Sequence, residues 1–209
     1  KRTYITIMKS NKNENIISKL TKSNSKVLDI GCGNGDLLKY LEETKNINGQ
    51  GIEISHQGVQ DCVSKGLSVI QGNADTDLKH FPDNSFDVVI LSRTLQATHK
   101  PKEVLTEMLR IGKKCIVSIP NFGHWKCRLQ IFFRGKMPMT ETLSVPWFET
   151  ENIHLCTIKD FIEICFLLNI VIEETYSIND NKAHKIRKPN TLLNNLFSKE
   201  GIFVLKKNK

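Results

Sequence analysis

Residues 27–35 read Val-Leu-Asp-Ile-Gly-Cys-Gly-Asn-Gly, an apolar run that ends in an acid and continues into glycines at alternate positions. Residues 51–54, Gly-Ile-Glu-Ile, follow and place Glu53 20 positions beyond Gly33. A strand, a glycine-rich turn that opens a helix, and a second strand that ends in an acid form the nucleoside-binding half of a Rossmann-like fold. This stretch therefore predicts an α/β fold with a nucleoside pocket.

The spacing of the glycines indicates which nucleoside the turn binds. The turn reads Asp-x-Gly-x-Gly-x-Gly, whereas the dinucleotide fingerprint is Gly-x-Gly-x-x-Gly. A dinucleotide places an anionic pyrophosphate at the helix N-terminus. S-adenosylmethionine (SAM) has no phosphate and carries an ammonium and a carboxylate, so an acid such as Asp29 beside bare backbone suits it better. We therefore expect SAM or S-adenosylhomocysteine rather than NAD; a tight turn that binds no ligand is the alternative.

The ends of four predicted strands supply the rest of this site. Glu53 is placed to accept hydrogen bonds from both ribose hydroxyls. We expect the side-chain carbonyl of Asn73 to accept from the adenine amino group and the Ala74 N–H to meet a ring nitrogen, although Asp75 competes for the role of Asn73. The predicted cofactor-binding residues are Asp29, Gly31, Cys32, Gly33, Gly35, Glu53, Ile54, Asn73, Ala74, Leu91 and Ser92.

Charge and cysteine content bound the class of protein. The chain of 209 residues has 30 Lys and Arg against 22 Asp and Glu, a net charge of +8. Such an excess can mark a nucleic-acid partner, but the basic residues gather in two runs, 126–136 and 182–188, which we interpret as solvated faces. The six cysteines form no C-x-x-C pair, which favours reduced thiols in the cytoplasm and no metal site.

Hydropathy predicts neither a membrane span nor a leader. The longest apolar stretch, 162–172, is interrupted by Glu163 and Asn169 and is too short to cross a bilayer. Asn11, Lys12 and Glu14 stand where a signal peptide would need an apolar run. We therefore expect a cytoplasmic protein with no membrane partner.

Strand patterns alternating with helical patterns predict a mostly parallel, seven-stranded sheet with helices on both faces. The last two strands have no predicted helix between them, so we expect them to pair antiparallel as a hairpin at the sheet edge. The predicted strands are 26–30, 51–54, 67–70, 87–91, 115–119, 170–177 and 201–205. We expect one domain over 1–209, with a core at 26–178, a cap or interface insertion at 120–156 and a mobile loop at 179–200.

The acceptor side of the site lacks an obvious base. No Asn-Pro-Pro-Tyr or Asp-Pro-Pro-Tyr follows strand four, which argues against methylation of an amide or base nitrogen by the route that uses this motif. Many small-molecule methyltransferases that this domain resembles carry His at the position of Ala97, and alanine cannot transfer a proton. His124 and His154, in the long segment 121–154, are weak candidates for proton transfer, and each is also explained as a structural hydrogen-bonding residue. Trp125 and Trp147 of the same segment suit either a core or a partner interface.

Four segments carry a closer resemblance. They are Val27-Leu28-Asp29-Ile30-Gly31-Cys32-Gly33, Leu95-Gln96-Ala97-Thr98, Ile119-Pro120-Asn121-Phe122-Gly123-His124-Trp125 and Asn152-Ile153-His154-Leu155-Cys156-Thr157. Together they resemble the MetW family of methionine-biosynthesis proteins. The resemblance implies a class I methyltransferase fold and a role in methionine biosynthesis with a homoserine O-acyltransferase of the MetX type. Family members more often carry Asp at the position of Asn73.

These observations leave two leading hypotheses. The first is a SAM-binding accessory subunit of the acyltransferase, which needs the cofactor pocket but no proton shuttle, with the region of Trp125 and Trp147 as its interface. The second is an active methyltransferase that acts on a small molecule, because a sulfonium is already activated and alignment alone lowers the barrier by roughly 7–11 kcal/mol. An RNA methyltransferase is the weakest alternative, since it depends on charge alone.

Overall fold

The computed structural model describes residues 12–179 and 182–208. Its strands are β1 (Lys26–Ile30), β2 (Asn48–Glu53), β3 (Val69–Gln71), β4 (Val88–Ser92), β5 (Cys115–Pro120), β6 (Ile170–Asn179), β7 (Lys182–Lys185) and β8 (Glu200–Lys207). Its helices are α1 (Lys12–Leu20), α2 (Asp36–Lys45), α3 (His56–Ser64), α4 (Pro101–Ile111), α5 (Trp125–Arg134), α6 (Ile158–Leu167) and α7 (Leu192–Phe197). Short 3-10 turns cover Leu78–His80 and Leu95–Ala97.

The sheet has the order β3-β2-β1-β4-β5-β8-β6-β7. The pairs from β3 to β5 are parallel, whereas β8 pairs antiparallel with both β5 and β6. In the described residues, β7 and β8 therefore run against the other strands. The chain reverses its direction across the sheet at β1, between β2 and β4, which is the position where open α/β sheets bind ligands.

Helices cover both faces of the sheet, as predicted. Alternate residues of β4 point to opposite sides: Val89 and Leu91 pack with α4 and α6, whereas Val88 and Ile90 pack with α1 and α2. This alternation follows from the period of two of a strand, and it makes β4 apolar throughout because both faces are buried.

The prediction of seven strands is wrong, because the part of the chain that the structure describes forms a sheet of eight. The predicted pairing of the last two strands is correct in direction, since β6 and β8 are antiparallel. They do not form a simple hairpin, however, because β7 and α7 lie between them in the chain. The interpretation of 179–200 as a loop is therefore also wrong for 182–185 and 192–197.

Several sequence predictions lie partly outside the described residues. The absence of a leader concerned the first 20 residues, of which 1–11 are not described, and residues 180 and 181 of the predicted loop are not described either. The single domain, its core at 26–178 and the mobility of 179–200 stay predictions.

Candidate functional site

A cleft of about 450 Å³ opens at the carboxyl ends of β1, β2, β3 and β4. It is lined by the glycine turn, the end of β2, the start of α3, residues 72–75, the segment after β4 and residues 151–152. Six of the predicted cofactor residues line it, namely Gly31, Gly33, Glu53, Ile54, Asn73 and Ala74. The ends of β1, β2 and β3 thus converge around one cavity, whereas after β4 it is lined by Arg93 and Thr94 and not by the predicted Leu91 and Ser92.

Glu53 is held by the backbone on both sides of the cleft. Its Oε2 accepts the Gly33 N–H at 2.8 Å, and its Oε1 accepts the Ser55 N–H at 2.8 Å. A carboxylate oxygen has a second lone pair, so both oxygens keep acceptor capacity for hydroxyl groups. Glu53 therefore links the glycine turn to the start of α3 and remains able to bind a diol.

The glycines of the turn differ in the room that they leave for a ligand. A Cβ on Gly33, whose φ is +56°, would meet no atom within 4 Å, so a ligand can approach the bare backbone there. A Cβ on Gly35 would instead meet Leu67 and Cys62 at 2.4 and 2.8 Å. Gly35 thus packs against the core. Like the fully buried Leu91, it lines neither the cleft nor the smaller cavity described next.

A smaller side cavity of about 200 Å³ continues from the cleft beneath the turn. Asp29, Cys32 and Ser92 of the predicted set line it, together with α1, the start of α2 and Arg93. Asp29 is 2% exposed, and its Oδ1 has no hydrogen-bond partner among the described residues. Burial, followed by the charge of Glu53, raises the pKa of Asp29 to about 8, so a nearby cation would stabilise its charged form.

Asn73 and Asp75, which follow β3, make different hydrogen bonds. The Asp75 carboxylate accepts the N–H groups of His99 and Lys100 at 2.9 and 2.8 Å, so it fastens this loop to the start of α4. Asn73 Oδ1 accepts the Asp75 N–H at 2.8 Å. The carbonyl predicted to bind adenine thus already accepts one hydrogen bond and has one lone pair left.

Neither candidate histidine lines the cleft. His124 is buried at the start of α5, where its Nδ1 accepts the Lys126 N–H at 3.3 Å and it lines a separate cavity. Burial, followed by the charges of Lys199 and Lys126, lowers the pKa of His124. The side chain of His154 is exposed. Ala97 does line the cleft, so the position where a base was sought carries a methyl group.

The sequence interpretation missed two parts of the site. Glu151 and Asn152 line the cleft although they lie far from the glycine turn in the sequence. Arg93 lines both the cleft and the side cavity, and its guanidinium pairs with the buried Glu200 at 2.7 Å. No local pattern signals this pair, because its members are 107 positions apart and neither belongs to a motif.

An apolar cavity of about 330 Å³ adjoins the cleft at Asn152, which lines both. It lies in the cap segment, which we define as residues 136–156 and which contains no helix or strand. Its other lining residues are Phe122, Met137, Pro138, Thr142, Leu143, Ser144, Val145, Trp147, Thr150 and Leu155. Trp147, which lines the cavity, is 70% exposed, and the neighbouring Phe148 is 67% exposed.

The described residues provide neither a metal-binding cluster nor a membrane-spanning helix. Within 12–179 and 182–208, no three His, Cys, Asp or Glu residues are placed to hold a metal ion. No helix in these ranges has the length and hydropathy to cross a membrane.

The fold is similar to solved SAM-dependent methyltransferases. One from Thermotoga maritima, described as a possible histamine N-methyltransferase, superimposes with a TM-score of 0.65 at 15% identity, over 93% of this chain and 87% of that one. One from Archaeoglobus fulgidus gives a TM-score of 0.64 at 17% identity, over 93% and 94% of the two chains. The predicted Rossmann-like class I methyltransferase fold is therefore confirmed.

Relatives with similar sequences indicate the family more specifically than the solved structures do. The bifunctional methionine biosynthesis protein MetXA/MetW of Rhodopirellula baltica is 32% identical over 189 residues, which are 86% of this chain and 30% of that protein. Phosphoethanolamine N-methyltransferase 1 of Arabidopsis thaliana is 35% identical over 104 residues, 46% of this chain and 21% of that protein. The chain thus spans less than a third of the length of either relative.

The family comparison agrees with the motifs quoted from the sequence. The model of the methionine biosynthesis protein MetW matches residues 11–205, a range that includes the glycine turn, Glu53, the cap segment, β6 and most of β8. The chain therefore belongs to the MetW family.

Proposed function

We propose that this chain binds SAM or S-adenosylhomocysteine in the cleft and serves methionine biosynthesis as the accessory subunit of a MetX-type homoserine O-acyltransferase. The observation that carries the cofactor assignment is the buried Oδ1 of Asp29, which has no partner within 12–179 and 182–208, beside a glycine turn held by Glu53. The partner assignment is supported by the Rhodopirellula baltica relative, whose name combines MetXA and MetW in one protein. The free thiols of all six cysteines are consistent with a cytoplasmic location.

The residues present fit each part of the cofactor. Glu53 would accept the ribose hydroxyls, Asp29 would face the ammonium, and the bare backbone at Gly33 leaves room for close approach. Ile54 is 64% exposed at the cleft and offers an apolar surface to the adenine ring, next to Asn73. When bound, SAM would supply an activated methyl group.

The pocket assignment predicts a specific loss when Glu53 is changed. Glu53→Gln keeps one acceptor oxygen for the backbone but removes the charge, so binding of S-adenosylhomocysteine should weaken by about 1.5–3 kcal/mol, the contribution of hydrogen bonds to a charged group. Isothermal calorimetry measures this. Glu43→Gln, an exposed acid on α2, is the matched control and should bind as the unmodified protein does. Unchanged affinity in a folded Glu53→Gln protein would refute the assignment.

The partner assignment predicts a complex that depends on the cap segment. Trp147 is 70% exposed and lines the apolar cavity, whereas Phe166 of α6 is 80% exposed on another element. Trp147→Ser should therefore reduce co-purification with the acyltransferase by at least about tenfold, the effect of losing an aromatic interface anchor, while Phe166→Ser should not. If the unmodified chain forms no complex at micromolar concentration, the accessory role is wrong. If Phe166→Ser alone disrupts the complex, the interface lies elsewhere.

A second candidate function, methyl transfer to a small molecule, is favoured by the apolar cavity that joins the cleft at Asn152. Pockets of this size and lining are typical of small-molecule sites. The chain would then act by alignment, since Ala97 provides no base. Release of S-adenosylhomocysteine that requires a particular metabolite, in the absence of the acyltransferase, would support this alternative over the accessory role.

A further inference from the structure

Arg93 is held in an unusual backbone conformation directly after β4. Its φ is 59°, in the left-handed region that residues other than glycine seldom adopt. The Arg93 N–H donates to the carbonyl oxygen of Ser118 at 3.0 Å and to its hydroxyl at 3.1 Å. These bonds to β5 fix where the Arg93 side chain leaves the backbone. Strained residues of this kind concentrate at binding sites, so the position calls for a functional explanation.

The guanidinium uses only part of its hydrogen-bonding capacity within the protein. Nε donates to both oxygens of Glu200 at 3.1 and 3.2 Å, and Nη2 donates to Oε2 at 2.7 Å. Asn13 Nδ2 also donates to Glu200 Oε1, at 2.6 Å. A guanidinium has five N–H donors, and Nη1 of Arg93 donates no hydrogen bond to the described part of the chain. The edge formed by Nη1 and Nη2 is thus available for a second, planar anion.

Glu200 fixes the orientation of that edge. Its side chain is 1% exposed, whereas that of Arg93 is 40% exposed. Burial alone would lower the pKa of Arg93, but the hydrogen bonds and charge of Glu200 raise it above its usual value, so the guanidinium stays charged. A buried carboxylate holding a half-exposed guanidinium is an arrangement that positions the cation toward solvent, which here is the cleft and the side cavity.

The side cavity combines this cation with acids. Asp29, whose Oδ1 has no partner among the described residues, lines it together with Glu14 and Arg93. Asp36 also lines it but is paired with Lys65 at 2.6 Å. A group with both an ammonium and a carboxylate matches such a set, because the acids attract the former and a guanidinium binds the latter in a bidentate manner. A simple anion or a simple cation would match only half of it.

We propose that Arg93, held by Glu200, binds the α-carboxylate at the amino-acid end of the cofactor and makes the pocket selective for ligands that keep this end. This inference rests on the proposed binding of SAM or S-adenosylhomocysteine in the cleft. It adds a binding residue outside the glycine turn, supplied by the segment after β4 and positioned from β8.

The test compares S-adenosylhomocysteine with 5′-methylthioadenosine, which has the same adenosine and sulfur but no amino-acid end. The unmodified protein should bind S-adenosylhomocysteine the more tightly. Arg93→Gln should weaken that binding by about 10- to 100-fold, as expected for losing hydrogen bonds to a charged group, and should change the binding of 5′-methylthioadenosine by less than about twofold. Arg93→Lys, which keeps the charge but not the bidentate geometry, should recover part of the loss.

Two further variants separate binding from folding. Arg93→Gln alone leaves Glu200 buried without its cation, so the double variant with Glu200→Gln removes both charges and should show the same selective loss. Arg110→Gln is the matched control, because Arg110 also pairs with carboxylates but lies on α4 and lines neither cavity.

The outcomes distinguish the two proposals. If the Arg93 variants lose affinity for both ligands equally, or for neither, Arg93 has only a structural role and this inference is overturned while the cofactor site stands. If the unmodified protein binds neither ligand, the proposed function fails and this inference fails with it.

Discussion

At the scale of single residues, Asp29 has the most unusual environment in the site. It is buried at the end of β1, one of its oxygens has no partner in the described ranges, and burial with the charge of Glu53 raises its pKa to about 8. The ordinary value for an aspartate is about 3.9. Asp29 is therefore mostly protonated at neutral pH in the free protein, and an ammonium placed beside it would favour loss of that proton.

Ligand binding should consequently depend on pH through Asp29. Because binding of an ammonium-bearing ligand releases the proton, affinity for S-adenosylhomocysteine should rise by up to roughly tenfold per pH unit well below 8, and less steeply as pH approaches the pKa of about 8. Asp29→Asn should weaken binding and flatten this dependence. Calorimetry at pH 6, 7 and 8 measures both effects, with Asp61→Asn on α3 as the control that keeps the slope. An equal slope in Asp29→Asn would show that another group titrates.

The raised pKa of Asp29 also predicts that the stability of the fold decreases as pH rises, whereas ligand affinity increases. The folded state binds a proton at Asp29 between about pH 4 and 8 that the unfolded state has lost, so this residue's contribution to stability falls as pH rises through that window. Asp29→Asn removes the penalty. At pH 8 the variant should melt higher, by about 2–4 °C for each 1 kcal/mol gained in a chain of this size. A lower melting temperature at pH 8 would contradict the assigned pKa direction.

At the scale of elements, the sequence predicted what depends on local pattern. The β1 bounds are correct because an apolar run ends at a glycine turn. In the same way, α4 begins at Pro101, whose fixed φ suits the first helical position, and ends before Gly112. At the start of α6, Thr157 and Asp160 form a capping box. Each of these signals lies within a few residues of the feature that it specifies.

The elements that the sequence did not predict depend on distant partners. β7 reads Lys-Ala-His-Lys, which has no apolar alternation, and it is a strand because its backbone pairs with Tyr176–Asn179 of β6 at the sheet edge. The helix α7 is only six residues long. In the site, the pairing of Arg93 with Glu200 has the same character, since it depends on where β8 enters the sheet. Local pattern carries no information on such contacts.

At the scale of the whole molecule, the cap segment connects the cleft with the apolar surface around Trp147. Glu151 and Asn152 line the cleft, and Asn152 and Trp147 line the apolar cavity. The N–H groups of Ile153 and His154 both donate to the Gln96 carbonyl, at 2.8 and 2.9 Å. One short stretch of chain, fastened to the turn after β4, therefore faces both proposed ligands.

Because both ligands would contact this stretch, their binding should be coupled. A cofactor that contacts Glu151 and Asn152 would restrict the cap segment, and an acyltransferase that docks on Trp147 would then lose less conformational freedom on binding. Coupling between two sites is reciprocal and typically changes affinity by about 5- to 150-fold. We therefore expect saturating S-adenosylhomocysteine to tighten the complex with the acyltransferase by at least about fivefold.

Titration of the complex by light-scattering or fluorescence, with and without the ligand, measures this coupling. Asn152→Ala, at the junction of the two cavities, should reduce the coupling, whereas Phe166→Ser on α6 should preserve it. Equal affinity of the acyltransferase for the free and the ligand-bound chain would show that the two sites act independently.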